Sequence, residues 1–165
     1  MRADTDWRGA DYACGVEGEP RNAASDRMRA VFPLFSRLGD MDESELRQWK
    51  SGMADDFVRV DRRRVVAVPD SDRDDWFESM QAYWNLGKGT PSFQVAEVLA
   101  VRGERLVLFR SRIEYADGTA TEMLIVNALA DDMRPQRSVM FDVDDLEGAF
   151  VELDRLHAEI EAQEA

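Results

Sequence analysis

Between Phe93 and Leu156 the spacing of apolar residues changes once, from every second residue to roughly every 3.6. That change predicts consecutive strands closed by one helix. Phe93–Val101 is rich in Val, Ala and Phe, and Arg102-Gly103 separates it from the Leu106–Tyr115 run. Asp117-Gly118 is a hairpin dipeptide, because a type I′ turn needs positive φ at both central residues. Thr121–Leu129 follows, Pro135 interrupts the chain, and Gln136–Asp142 reads as the last strand. Turns this short predict an antiparallel meander. If Asp117-Gly118 is a two-residue turn, Arg112 sits opposite Met123 and Arg110 opposite Ile125. Beyond it, Leu146, Phe150, Leu153, Leu156 and Ile160 share one helical face with Ala149 beside them, and Asp142 or Asp144 can cap the start. Such a stripe must lie on the sheet or on a partner subunit.

The residues before Phe93 read as packing for this sheet. Ser25–Leu38 has a helical apolar face, and Pro33 inside it kinks the helix or splits it in two. Asp42 with Glu45 forms a capping box for a helix over Asp42–Trp49, with Met41 and Leu46 at the staple positions and Gly52 as the stop. Phe57–Val60 and Val65–Val68 flank Asp61-Arg62-Arg63-Arg64 and predict one hairpin or one interrupted strand. Ser71 caps the next helix, which runs to about Leu86 and buries Trp76, Phe77, Met80, Tyr83 and Trp84.

At 165 residues the chain predicts one domain with a real core. We expect a flexible tail or linker over 1–22 and a cone-shaped α+β domain over 23–165. A net charge of −13 argues against nucleic acid and against anionic membrane surfaces. No apolar run approaches the roughly 18 residues of a membrane span. The single cysteine, Cys14, precludes an intramolecular disulfide, and the first residues lack a signal-peptide pattern. A cytoplasmic protein is the expectation.

The order helix, helix, strand pair, helix, meander, strand, helix resembles the nuclear-transport-factor-2-like (NTF2-like) superfamily. Three strings, ADDFVRVDRRR (Ala54–Arg64), AVRGERLVLFR (Ala100–Arg110) and FDVDDLEGAFVELD (Phe141–Asp154), resemble its SnoaL-like members. The likeness is to actinobacterial domains at the C-terminal end of signalling chains, and it runs from about Ala24 to the C-terminus. Val143 stands where such domains usually have proline. The resemblance implies a mostly antiparallel curved sheet with N-terminal helices packed on it, a cavity for a small apolar molecule, and a homodimer.

In enzymes of this kind a cavity carboxylate acts as general acid or base. Asp61 is the first candidate here, its plain alternative being a strand-end aspartate paired with a neighbouring arginine at the surface. Glu122 is the second, because the two-residue turn places it on the Val107–Tyr115 face with Phe109, Ser111 and Tyr115, the expected cavity lining. Trp76, Tyr83 and Trp84 would add aromatic wall, with core packing as the alternative. Arg110, Arg112 and Glu114 share the opposite face with Leu106 and Leu108, as expected of a dimer interface or an anion site. Asp55 and Asp56 read as a solvated turn, and Glu97 and Glu122 both have exposure at the sheet rim as the plainer reading. His157, the only histidine, leaves a histidine triad or multi-histidine metal site without its residues. There is no phosphate-binding glycine loop of the dinucleotide or nucleotide type, and neither cofactor nor metal is expected. Three readings remain open: a small-molecule-binding or regulatory module, a cofactor-independent cyclase, dehydratase or isomerase, and a dimerisation domain with a filled cone.

Overall fold

A computed structural model describes residues 17–66, 68–85 and 91–165, with backbone alone for 83–85. The elements are α1 (Ala23–Val31), a 3-10 helix (Phe32–Asp40), α2 (Glu43–Ser51), β1 (Val58–Asp61), β2 (Ser71–Asp72), α3 (Arg73–Asn85), β3 (Ser92–Arg102), β4 (Leu106–Glu114), β5 (Ala120–Leu129), β6 (Pro135–Asp142) and α4 (Leu146–Glu164). The six strands make one sheet in the order β2-β1-β6-β5-β4-β3. β3 to β6 form the antiparallel meander, and β1 joins β6 in parallel. Irregularities in β3 between Val95 and Glu97 and between Val98 and Ala100 bend the sheet, as bulges do.

The sheet separates two cores. Its outer face carries Leu106, Leu108, Leu124, Val126 and Val139 and is covered by Ala149, Leu153 and Leu156 of α4. Its inner face carries Val107, Phe109, Met123, Ile125 and Met140 and is covered by α1 and the 3-10 helix. A third cluster joins Leu38, Met53, Phe57, Trp76 and Phe77, with α2 leaning on it through Leu46 and Trp49.

Local signals explain the helix ends. The α-helix stops at Val31 and continues as a 3-10 helix with Pro33 in its first turn, so the proline splits the predicted helix in two. Asp42 and Glu45 make the reciprocal capping box at α2. Two caps fall one residue or more away from expectation. Asp72, not Ser71, accepts from the Asp75 N–H. Asp145, not Asp142 or Asp144, accepts from the Gly148 N–H, while Asp142 is occupied by the Arg64 N–H.

Of the Val65–Val68 run, Val65, Val66 and Val68 are described and none is in a strand: β1 instead pairs antiparallel with the short β2. Val65 is 92% exposed, and a run with neither a ladder partner nor a face to bury has no reason to extend the sheet. Most of the 1–22 segment lies outside the described residues. At its end, Asn22 caps α1 and donates to the Gly103 and Leu106 carbonyls, while Glu19 accepts from the Val98 N–H in the irregular part of β3. Those bonds tie the start of α1 to the β3–β4 hairpin.

One register correction matters for the site. The Tyr115 N–H donates to the Thr119 carbonyl, and the Gly118 N–H to the Tyr115 carbonyl, with Gly118 at φ +86°. The hairpin loop is therefore three residues, Ala116-Asp117-Gly118, with glycine at the left-handed position. The extra residue shifts β5 by one, so Arg112 pairs with Glu122 and Arg110 with Leu124. A one-residue slip turns every β5 side chain to the opposite face. Glu122 consequently belongs to the outer face and not to the Val107–Tyr115 face.

Candidate functional site

Helices and sheet do not fill the cone completely. A cavity of about 150 Å³ lies between the inner sheet face and the N-terminal helices. Its wall is mainly apolar: Met28 and Val31 from α1, Phe32 and Phe35 from the 3-10 helix, Trp49 from α2, Trp76 and Met80 from α3, and Phe93, Phe109, Ile113, Met123, Ile125 and Met140 from the sheet. The aromatic rings brace one another. Phe32 stands edge-on to Phe35 and Phe109, both at 5.4 Å between centroids, and Phe35 stacks on Trp49 at 5.0 Å. Such contacts add stiffness beyond simple burial.

Into this wall the sheet brings one polar row. Arg59 of β1 is level with Ser138 of β6, and Ser138 with Asn127 of β5. All three line the cavity. Neighbouring strands lie about 4.8 Å apart, so the Cα atoms of Arg59 and Asn127 are about 10 Å from each other across the row. Asn127 is 6% exposed and its Oδ1 has no hydrogen-bond partner among the described residues. Trp49 Nε1 is also buried with no partner among those residues. Buried polar atoms in folded proteins are nearly always satisfied, so two unsatisfied groups on one cavity wall are a feature to explain.

Asp61 stands behind this row rather than in it. Its carboxylate is 1% exposed and does not line the cavity, whereas Arg59 and Arg63 do. Arg63 grips it with Nε at 2.9 Å and Nη2 at 2.7 Å, and adds its backbone N–H at 3.0 Å. Arg59 approaches only to 3.9 Å and makes no hydrogen bond among the described residues. Burial pushes the Asp61 carboxyl up, but the Arg63 hydrogen bonds and the two guanidinium charges outweigh it and hold the carboxyl below the usual aspartate range. Burial lowers the Arg59 pKa, with Asp61 opposing and Arg63 reinforcing that shift. The Arg63 pKa is raised, chiefly by its side-chain bonds to Asp61. A general base working near neutrality needs a raised carboxyl, and Asp61 is shifted the other way.

The other expected site residues divide. Trp76 and Phe109 line the cavity. Ser111 is fully buried on the same sheet face but spends its hydroxyl on the Met123 carbonyl at 3.3 Å. Tyr115 is half-buried at the end of that face, beyond the cavity lining. The side chains of Tyr83 and Trp84 lie outside the described residues. Glu122 takes part in an outer-face ladder, bonded to Arg110 at 3.2 Å and Arg112 at 3.3 Å, which also engages Glu97 and Glu114. Asp55 pairs with Arg73 at the surface, and Asp56 accepts from Gln136. His157 faces Glu161 on α4 at 3.6 Å.

No aspartate or glutamate is among the described residues of the cavity wall. No cluster of metal-ligating side chains occurs among the described residues, and none of their helices is long and apolar enough to cross a membrane. Arg59, Asn127 and Ser138 escaped the sequence reading. The signals were a single asparagine inside the apolar run Met123–Ala130 and an arginine alternating with Val58 and Val60.

No protein-family model matches the chain, and no curated protein matches it. Solved structures match in fold. A SnoaL-like family protein from Agrobacterium tumefaciens superimposes with a TM-score of 0.54 at 15% identity, over 70% of this chain and 93% of that one. An NTF2-like protein from Exiguobacterium sp. 255-15 gives 0.50 at 13% identity, over 69% and 96%. A computationally designed 17-OHP binder gives 0.53 at 10% identity, over 77% and 95%. The chain has the NTF2-like fold: a curved, unclosed six-stranded sheet with helices on both faces.

Proposed function

We propose that this domain is a small-molecule-binding module of SnoaL-like type, with the cone as its ligand site. The observation that carries the reading is an apolar cavity of about 150 Å³ whose wall includes the unsatisfied Asn127 Oδ1. A filled cone serving only packing would have no reason to retain a buried acceptor that costs about 1–3 kcal/mol. The similarity in fold to a designed 17-OHP binder supports the reading, since that protein was designed to bind 17-OHP. Binding is favoured over carboxylate catalysis because Asp61 is engaged by Arg63 and Glu122 belongs to the outer face.

Native mass spectrometry of the purified protein, compared with its denatured mass, tests the proposal. Extra mass lost on denaturation supports it. A clean mass that stays clean with one-ring aromatics added in excess counts against it.

Homodimerisation belongs to the same proposal, through the Glu97–Arg110–Glu122–Arg112–Glu114 ladder. What favours this face is that the packing of α4 is centred on Leu106, Leu108, Leu124 and Val126 and leaves the ladder partly exposed. Alternating charges of this kind are self-complementary across a two-fold axis. Sedimentation equilibrium on Arg110→Glu against the unmodified chain tests it: a dimer that dissociates in the variant supports it, and a monomer in both contradicts it.

A further inference from the structure

The chemical class of the ligand follows from three properties of the cavity. The first is size. A volume of about 150 Å³ is that of an engineered apolar cavity that admits benzene. Drug-sized ligands need roughly 300–1,000 Å³. The cavity therefore takes one ring with short substituents, and no second ring.

The second property is charge. Arg59 and Arg63 contribute two positive charges at the polar end and Asp61 one negative, while Asp142 beside Arg63 is itself paired with Arg64, so one net positive charge is left. Arg63 commits its Nε and Nη2 to Asp61, whereas Arg59 is held only loosely at 3.9 Å. The Arg59 side chain is 17% exposed, so most of it is removed from water, and its guanidinium has no hydrogen-bonded partner among the described residues. Arginine presents a planar fork that matches a carboxylate in two parallel bonds. One net charge suits a monoanion. A dianion such as a phosphate ester would leave one charge uncompensated in a chain whose net charge is already −13.

The third property is the acceptor at the other end of the row. Asn127 Oδ1 is buried, unpartnered among the described residues and on a side chain of the cavity wall, so it calls for a donor on the ligand. It lies two strands from Arg59, with Ser138 of β6 between them and aromatic and aliphatic wall around the gap. A ring between them would present an anion on one side and a hydroxyl on the other.

We infer that the cone takes a hydroxylated one-ring aromatic carboxylate, its carboxylate on Arg59 and its ring hydroxyl donating to Asn127 Oδ1. The inference rests on the reading of the cone as a binding cavity and names the class of molecule that fits it.

Titration of the full chain by calorimetry or ligand-observed NMR with benzene, phenol, benzoate and 4-hydroxybenzoate separates the two. 4-Hydroxybenzoate is expected to bind about tenfold or more tighter than benzene, since a hydrogen bond to a charged group contributes at least that factor. Arg59→Gln should remove about tenfold for benzoate and 4-hydroxybenzoate while leaving phenol and benzene unchanged. Asn127→Leu should erase the several-fold advantage of 4-hydroxybenzoate over benzoate and leave benzoate binding intact. Binding of benzene with no preference for the carboxylates, or a preference that survives both variants, overturns the ligand class and leaves the cavity reading standing. Absence of binding by all four overturns both. Because Asn127→Leu removes an unsatisfied group, it retains the fold, and a thermal melt of each variant shows whether a lost signal is lost binding or lost structure.

Discussion

Replacing Asp61 by alanine removes the carboxylate that holds Arg63 and faces Arg59. The side chains involved are 1%, 13% and 17% exposed, so water replaces only a small part of what is lost. Removing one member of a buried ion pair costs about 3–5 kcal/mol, because the partner charge stays buried and uncompensated. Here two guanidinium groups are left facing each other, which places the expectation in the upper half of that range. For a chain of this size each kcal/mol moves Tm by about 2–4 °C, so the loss corresponds to about 8–20 °C. The pH dependence has a definite sign. The folded Asp61 carboxyl lies below its unfolded value of about 3.9, so its contribution is fully present above that pH and fades as pH falls through the folded value. Chemical denaturation of wild type and Asp61→Ala should therefore differ by a constant amount from pH 5 to 7, with the gap closing below about pH 4. Other carboxylates with lowered pKa whose partners are neither Arg59 nor Arg63, such as Glu152 and Asp132, affect both proteins alike and cancel in the difference. A loss under about 1 kcal/mol at neutral pH, the value of an exposed pair, would refute the reasoning. So would a gap that widens in acid.

Three further outcomes are expected. Asn127→Leu should raise stability by about 1 kcal/mol in the ligand-free protein, since it removes an unsatisfied buried carbonyl at similar volume; destabilisation in a urea melt would mean the amide has a partner. Gly118→Ala should cost about 1 kcal/mol through its φ of +86° alone, because nothing lies within 4 Å of the added methyl group, and a neutral result would argue against the three-residue turn. Glu122→Gln should leave the affinity for one-ring ligands unchanged, since its side chain faces away from the cavity, and weakened binding in a titration would contradict the β4–β5 register.

Much of the fold was legible because it rests on local chemistry. Pro33 splits one helix, Asp42 and Glu45 cap another, and the change of period after Asp142 marks the end of the meander. Glu122 was misplaced because Asp117-Gly118 suits both a two-residue and a three-residue loop, and one residue decides which face β5 presents. Val65–Val68 has the composition of a strand, yet strand pairing depends on a neighbour that local sequence does not specify. The polar row was hidden for the same reason. Arg59, Ser138 and Asn127 lie far apart in sequence and meet only when β1, β6 and β5 are in register. Asp61 stood out in the sequence, but its role depends on which arginine holds it, and the bond from Arg63 turns a candidate base into a strong ion-pair partner.

The central claim, that the cone is a ligand site and not a filled core, is tested most directly by the methionine methyl groups. Met28, Met53, Met80, Met123 and Met140 line the cavity, whereas Met41 packs outside it on the third cluster. Methyl NMR of methionine-labelled protein titrated with benzene should shift the five cavity signals together along one saturable curve, with Met41 unmoved. Five unmoved cavity signals at saturating benzene, or shifts of equal size at Met41, would contradict the account.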